Sequence, residues 1–143
     1  MAAPDAPESV FVRIIRGEIP CHKVYEDEHV FAFLDVNPLS PGHTLVIPKN
    51  PVERLEDLPA EQAARIGGLL GQIARRVLNA TGAADYNILQ NNGETAGQVV
   101  PHVHFHIIPR KSGDGLGYRW NAAPADQHEL AELARRINAV RGA

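Results

Sequence analysis

The stretch that most constrains how this chain can fold is residues 102–108, in which three histidines alternate with apolar residues. His102, His104 and His106 recur with a period of two, and that period is typical of a β-strand. The three imidazoles would share one face, while the apolar residues between them would anchor the other face in a core. The pattern therefore predicts a half-buried strand that presents a histidine site.

Two kinds of site fit three histidines on one strand face. Alternate residues of a strand lie about 6.7 Å apart, whereas zinc holds its nitrogen ligands about 2.0–2.1 Å away in a tetrahedron. Two neighbouring histidines could chelate one ion, but three along a line fit that geometry poorly, and no carboxylate accompanies them in the sequence. A neutral imidazole could instead attack an electrophile near neutral pH. Both chemistries stay open from the residues alone.

The motif in residues 102–108 resembles the histidine triad, in which histidine alternates with hydrophobic residues, and the chain is similar to the histidine triad (HIT) superfamily. Residues 11–20 and 24–27 resemble the opening of that family, and residues 41–49 resemble its middle strand. Within that family the resemblance is to Hint-like and bacterial-type HIT hydrolases. It implies a HIT-like α+β fold: a five-stranded antiparallel sheet with a long helix and a C-terminal helix, pairing as a homodimer.

The resemblance also implies an activity. It is that of a nucleoside phosphoramidase or nucleotidyl hydrolase acting at the α-phosphate of purine nucleotides, with AMP-linked phosphoramidates first and dinucleoside polyphosphates second. The reaction would pass through a covalent nucleotidyl-histidine. The alternatives are a metal-dependent hydrolase that uses the histidine face and a non-catalytic module that binds nucleotide.

Site residues follow from the resemblance position by position. His104 matches the nucleophile, and the other catalytic positions are His102, His106, His43 and Gln98. Asp35 matches an acid that holds both ribose hydroxyls, and Asn91 matches a phosphate ligand. An apolar clamp on the base corresponds to Phe11, Ile19, Phe33 and Val36. Many relatives carry a zinc-binding Cys-x-x-Cys pair where this chain has Ser9 and Val12, so no metal or other cofactor is predicted.

Composition restricts the class of protein. A chain of 143 residues is expected to form one domain over residues 9–143, after a disordered lead of residues 1–8. The net charge of −3 provides no basic surface for nucleic acid. A single cysteine, Cys21, excludes an internal disulfide and is typical of a reducing compartment. Because neither a signal peptide nor an apolar run of about 20 residues is present, we expect a cytoplasmic protein without membrane contact.

Local patterns predict the order of elements. Ser9 is typical of a helix N-cap, and the short helix it begins should end at Gly17. A long helix should run from Leu58 to the residue before Gly82, because apolar residues recur on one face. Strands are predicted at residues 23–26, 29–34, 44–47 and 86–90, and a closing helix with its charges exposed at 126–140. Short hairpins and segregated helices favour an antiparallel α+β domain.

Overall fold

The computed structural model describes residues 8–117 and 122–140. The predicted disordered lead, residues 1–8, therefore lies outside the described residues except for Glu8. In chain order the elements are α1 (Val10–Ile15), β1 (Lys23–Glu26), β2 (Val30–Leu34), β3 (Thr44–Pro48), α2 (Ala60–Thr81), β4 (Asp85–Gln90), β5 (Phe105–Arg110) and α3 (Gln127–Ala139), with 3₁₀ turns at Leu55–Asp57 and Glu94–Ala96. The predicted order of helices and strands is confirmed, and the boundaries differ from the predicted ones by at most three residues.

The five strands form one antiparallel sheet in the order β1-β2-β3-β5-β4. The α+β fold with a five-stranded antiparallel sheet is thus confirmed. His106 on β5 stands opposite Leu45 of β3 on one side and Leu89 of β4 on the other. Because β5 is paired along both edges, the backbone that carries His106 is fixed by hydrogen bonds on both sides.

The histidine strand is shorter than predicted, since β5 begins at Phe105 rather than at His102. Pro101 has no N–H to donate to a ladder. The Val103 N–H instead donates to the Val52 carbonyl at 2.9 Å, and Val52 lies in the loop that follows β3. His102 and His104 therefore occupy an extended segment that leads into the strand, while only His106 belongs to the strand itself.

Each face of the sheet has its own core, and the side-chain alternation assigns residues to them. α2 packs over one face on a cluster that includes Val46, Val103 and Ile107. The opposite face holds a second cluster, which α1 covers with Phe11, and which also contains Phe31, Phe33, Leu45 and Ile47. β2 and β3 consequently read as continuous apolar runs because they are buried on both faces. The histidine rings at positions 102 and 104 contact Phe11 and so lie on the α1 side.

Gly42 controls how closely α2 approaches the start of β3. Its φ is +89°, and a Cβ built there would lie 2.6 Å from the Thr81 methyl in the last turn of α2. Only glycine adopts this backbone conformation without strain and also leaves the space free. Gly42 directly precedes His43, so this close contact with α2 helps to fix the backbone position from which the His43 side chain extends.

The closing helix does not match its predicted packing. The apolar side chains of α3, Leu130, Leu133 and Ile137, are 45%, 46% and 62% exposed. The prediction of a closing helix whose exposed side is the charged one is therefore wrong for the single chain, because its own sheet leaves the apolar stripe uncovered as well. Over residues 8–117 and 122–140, none of the helices combines the length and the apolar character needed to cross a bilayer.

Candidate active site

Three neighbouring strands bring several of the predicted site residues together. Asp35 follows β2, His43 precedes β3, and His106 lies in β5. The His43 Nε2 atom is 2.9 Å from His106 Nδ1 and 3.6 Å from Asp35 Oδ2. The ring of His106 in turn lies 4.9 Å from that of His104, centroid to centroid. The structure thus assembles Asp35, His43, His104 and His106 into one cluster.

His104 has the geometry of a nucleophile. Its Nδ1 lies 2.7 Å from the backbone carbonyl of His102. Because a carbonyl can only accept, the ring proton sits on Nδ1 and the lone pair on Nε2. Burial lowers the pKa of His104, and this outweighs the opposing effects of that hydrogen bond and of the Asp35 charge. At neutral pH the ring is therefore uncharged and carries a lone pair on Nε2, as attack on phosphorus requires.

His102 supports the site from beneath. Its Nε2 donates to the Pro48 carbonyl at 2.7 Å, and its Nδ1 lies 3.4 Å from the Ser9 hydroxyl. The residue is 0% exposed, and burial lowers the pKa of its ring. A face that presents all three triad histidines to a ligand is therefore wrong for His102. Orientation of His104 fits this position, because the His102 carbonyl fixes the His104 ring.

His43 and His106 form a directed pair. The Leu39 N–H donates to His43 Nδ1 at 3.0 Å, so the neutral His43 ring carries its proton on Nε2 and donates it to His106 Nδ1. The remaining proton of His106 must then lie on its Nε2. Burial, together with the repulsion of charge on His104 and His43, lowers the pKa of His106 to about 4. This half-buried ring therefore offers an N–H to a ligand while staying neutral.

The same cluster has the size of a metal site but not its donor pattern. Asp35, His43 and His106 each offer one ligand atom within 4.8 Å of the others, so the fold supplies a carboxylate that the sequence around the triad lacks. Ligating histidines, however, usually donate their second ring N–H to a neighbouring acceptor. The second nitrogen of His43 accepts from Leu39 instead, which leaves a proton on the nitrogen that would face the ion. This donor set favours a hydrogen-bond network.

Asp35 is held in place by the chain around it. Its backbone N–H donates to the His43 carbonyl at 2.9 Å, and its Oδ1 accepts from the Asn37 N–H at 2.8 Å. Its side chain is 19% exposed. The carboxylate is thus oriented by local turns and remains open to solvent at one edge of the cluster.

Gln98 braces the loop that leads into the histidine segment. Its carboxamide nitrogen donates to the carbonyls of Glu53 and Val100 at 2.8 and 3.0 Å, and its oxygen accepts from the Gly93 N–H at 2.7 Å. The side chain is buried, so contact with a leaving group would require one of these bonds to be exchanged. Asn91 is half-buried, and its amide lies 3.7 Å from where a Cβ at Gly97 would stand. The ligand contacts predicted for Gln98 and Asn91 stay predictions.

The four residues predicted to clamp the base are not in one environment. Phe11 and Phe33 are both buried, with ring centroids 5.6 Å apart, and the rings of Phe11 and His104 make a T-shaped contact with centroids 5.1 Å apart. Ile19 is partly exposed and Val36 is 76% exposed. The phenylalanines therefore support the histidines as core residues in this structure, whereas Val36 is the side chain most accessible to a base.

A groove of about 510 Å³ lies away from the histidines, along β1. Its charges satisfy one another, since Glu26 pairs with Lys23 at 2.9 Å and with Lys49 at 2.8 Å, and the Tyr25 hydroxyl donates to Asp27 at 2.7 Å. Internal pairing of this kind leaves little for a charged ligand to bind. The histidine cluster is the better candidate site.

Several partners in the site could not be found from side-chain motifs. The Leu39 amide and the Pro48 carbonyl determine where the protons of His43 and His102 lie. Both are backbone groups, and every residue has them except proline, which lacks the N–H. Ser9 did have a signal, but only as a helix N-cap. Its contact with His102, 93 positions away in the sequence, depends on the tertiary fold.

Known proteins resemble this chain in sequence and in fold. The family model of the HIT domain matches residues 16–113. The adenosine 5'-monophosphoramidase of Schizosaccharomyces pombe is 42% identical over 130 residues, covering 90% of this chain and 95% of that protein. The adenylylsulfatase of Arabidopsis thaliana is 42% identical over 137 residues, covering 94% and 68%. A crystal structure of a HIT family protein from Bacillus subtilis superposes with a TM-score of 0.88 at 40% identity, covering 96% and 100%.

Proposed function

The chain belongs to the HIT domain family, and on that premise we propose that it is a nucleotide hydrolase or transferase acting at the α-phosphate of purine nucleotides. The observation that carries the proposal is the tautomer of His104. A buried, neutral ring that donates through Nδ1 to the backbone carbonyl of His102 offers Nε2 as a nucleophile. A neutral nucleophile also avoids the repulsion that a phosphate exerts on an anionic one.

The proposed reaction has two displacements at phosphorus. The His104 Nε2 lone pair forms a bond to the α-phosphorus, and the bond from phosphorus to the leaving group breaks, with the leaving group taking the electron pair and a proton from solvent, to which the water of the second step returns one. The Nδ1–H bond to the His102 carbonyl stabilises the positive charge that the ring gains. Water then displaces the ring, so that AMP and free His104 are the products.

The neighbouring groups supply binding and charge stabilisation. The His106 N–H, directed by the bond from His43, would donate to a phosphate oxygen as charge develops there. Asp35 can accept from both ribose hydroxyls, because a carboxylate has several acceptor positions. The half-buried Asn91 would contact phosphate, and Ile19 and Val36 lie more open to a base than the buried Phe11 and Phe33.

Two named relatives support an adenylyl substrate. The fission yeast protein is named for adenosine 5'-monophosphoramidate and the Arabidopsis protein for adenylylsulfate. These compounds share the adenylyl group and differ only in the leaving group bonded to the α-phosphorus. We therefore place AMP-linked phosphoramidates first and dinucleoside polyphosphates second for this chain.

The experiment is an activity screen over nucleotide conjugates. We expect AMP to be released from adenosine 5'-monophosphoramidate faster than from a dinucleoside polyphosphate, and exhaustive EDTA treatment to leave both rates unchanged, because the cluster is arranged for hydrogen bonds. A matched preparation of His104→Ala controls for contaminating hydrolases. Activity lost with EDTA and restored by zinc or manganese would support the metal-dependent alternative. Binding of AMP without turnover of any conjugate would support a non-catalytic module.

We also propose that the chain pairs with a second copy of itself. β4 lies at the edge of the sheet and exposes Tyr86 and Ile88, and α3 exposes an apolar stripe. An uncovered apolar edge strand invites pairing with another chain, and a two-fold pair would cover the same surface on both copies.

Sedimentation at micromolar concentration tests this assembly. We expect wild-type protein to sediment at twice the chain mass of 15.6 kDa, and Ile88→Lys to shift toward the monomer because it places a charge on the edge. A charge at an exposed position away from that edge, Gln72→Lys on α2, is the matched control. A wild-type species of 15.6 kDa alone would contradict the pairing.

A further inference from the structure

One hydroxyl group connects the start of α1 with the base of the histidine cluster. Ser9 is the N-cap of α1, and its Oγ accepts from the Val12 N–H at 3.3 Å. The same Oγ lies 3.4 Å from His102 Nδ1. Because the oxygen already accepts from the helix, its own proton is available to the histidine.

The other nitrogen of His102 determines the direction of that contact. Nε2 faces the Pro48 carbonyl at 2.7 Å, and a carbonyl cannot donate. In the neutral ring Nδ1 is then the acceptor, and Ser9 supplies the hydrogen. The ring is fully buried, so a lost donor could not simply be replaced by bulk water.

His102 also holds the nucleophile, through its backbone carbonyl. That carbonyl accepts from His104 Nδ1 at 2.7 Å, so the tautomer of His104 depends on where the backbone of His102 lies. A neutral His102 ring with its proton on Nδ1 would have none on Nε2, so it would lose its bond to Pro48 and would have to move away from that carbonyl. This movement would change the hydrogen bond between His104 Nδ1 and the His102 carbonyl, which orients the His104 ring.

We propose that Ser9 is a positioning residue: its hydroxyl proton fixes the tautomer of His102, and through the His102 carbonyl it fixes the orientation of His104. The effect on turnover rests on the function proposed above, whereas the effect on the His102 ring does not. Ser9 never contacts the substrate in this proposal. Its influence passes through two hydrogen bonds.

Two substitutions separate this role from helix capping. Ser9→Asp keeps a good N-cap acceptor for α1 but has no proton to donate near neutral pH. Ser9→Thr keeps both the cap and the hydroxyl proton. The two variants therefore share the capping function and differ in the donor that the proposal invokes.

We expect Ser9→Asp to melt near the wild-type temperature but to lower kcat for adenosine 5'-monophosphoramidate about tenfold, since small misplacements of reacting groups are expensive. KM should change little, because the nucleotide contacts are untouched. The acid limb of the pH profile should move to higher pH, because the new carboxylate favours protonated His102. Ser9→Thr should restore the wild-type values.

Ring ¹⁵N NMR gives a readout that does not depend on turnover. In the wild-type protein His102 should show an unprotonated Nδ1 and a protonated Nε2, and in Ser9→Asp Nδ1 should become protonated. A wild-type spectrum with a proton on Nδ1 would overturn the proposal, as would a Ser9→Asp variant with unaltered kcat and ring signals. If no nucleotide conjugate is turned over while the ring signals follow the expected pattern, the proposed function fails and the control of the His102 tautomer by Ser9 stands.

Discussion

His104→Ala should lower turnover of adenosine 5'-monophosphoramidate about 10³-fold or more, because it removes the atom that forms the bond to phosphorus. Nucleotide binding should largely survive, since the proposed ribose and base contacts come from other residues. Steady-state kinetics and AMP titration measure the two effects separately. His29→Ala is the matched control, because His29 precedes β2, at the opposite end of that strand from Asp35, and its loss should leave kcat unchanged.

A covalent intermediate would identify the nucleophile directly. A phosphorus–nitrogen bond is acid-labile and base-stable, unlike an ester at serine or threonine, so quenching without acid should preserve it. Peptide mass mapping after a slow substrate should then find the nucleotide on His104. Retained turnover in His104→Ala, or an adduct on another residue, would remove His104 from this role.

The second large effect is a loss of stability in mild acid. His106 stays neutral in the folded chain because its pKa is lowered from 6.5 to about 4. Between these values the unfolded chain binds a proton that the folded chain does not, so the free energy of unfolding falls as the pH drops. A shift of this size corresponds to about 3 kcal/mol. His43, His102 and His104 have lowered pKa values for the same main reason, burial, and act in the same direction.

Urea unfolding at pH 7 and pH 4 measures this dependence. Wild-type protein should lose at least about 3 kcal/mol between the two values, and His106→Gln should lose less because its side chain does not titrate. His29→Gln removes a histidine outside the cluster and should follow the wild-type curve. A His106→Gln curve parallel to the wild-type curve would show that proton uptake by His106 does not drive the acid sensitivity.

The alternation of histidine with apolar residues was sufficient to predict the two-sided packing of residues 102–108. Val103 and Ile107 do lie in the core beneath α2, and the histidines lie on the other side. The predicted start of β5 at His102 is wrong, because periodicity does not show which backbone groups have hydrogen-bond partners. Val103 pairs with the loop after β3, and that pairing depends on where a distant segment runs.

The proximity of Asp35, His43 and His106 has a different origin. Antiparallel pairing of β2, β3 and β5 brings the end of one strand beside the start of the next, and periodicity within each strand carries no information about this. Only the family resemblance pointed to His43 and Asp35 together with the triad. The uncovered stripe of α3 could not be foreseen either, because the amphipathic pattern of a helix does not reveal whether its own chain or another one covers it.

Main-chain atoms determine which nitrogen carries the ring proton in three of the four histidines of the site. These atoms are the Leu39 amide for His43, the Pro48 carbonyl for His102 and the His102 carbonyl for His104. A substitution at position 39 or 48 replaces a side chain and leaves these atoms in place, with proline at 39 as the exception. The Leu39 side chain is 55% exposed, so position 39 can drift in sequence while the protonation pattern of the site persists, whereas the Pro48 ring is fully buried and its replacement would disturb the packing of β3. A scan of single substitutions would score position 39 as tolerant, although its amide decides which nitrogen of His43 carries a hydrogen.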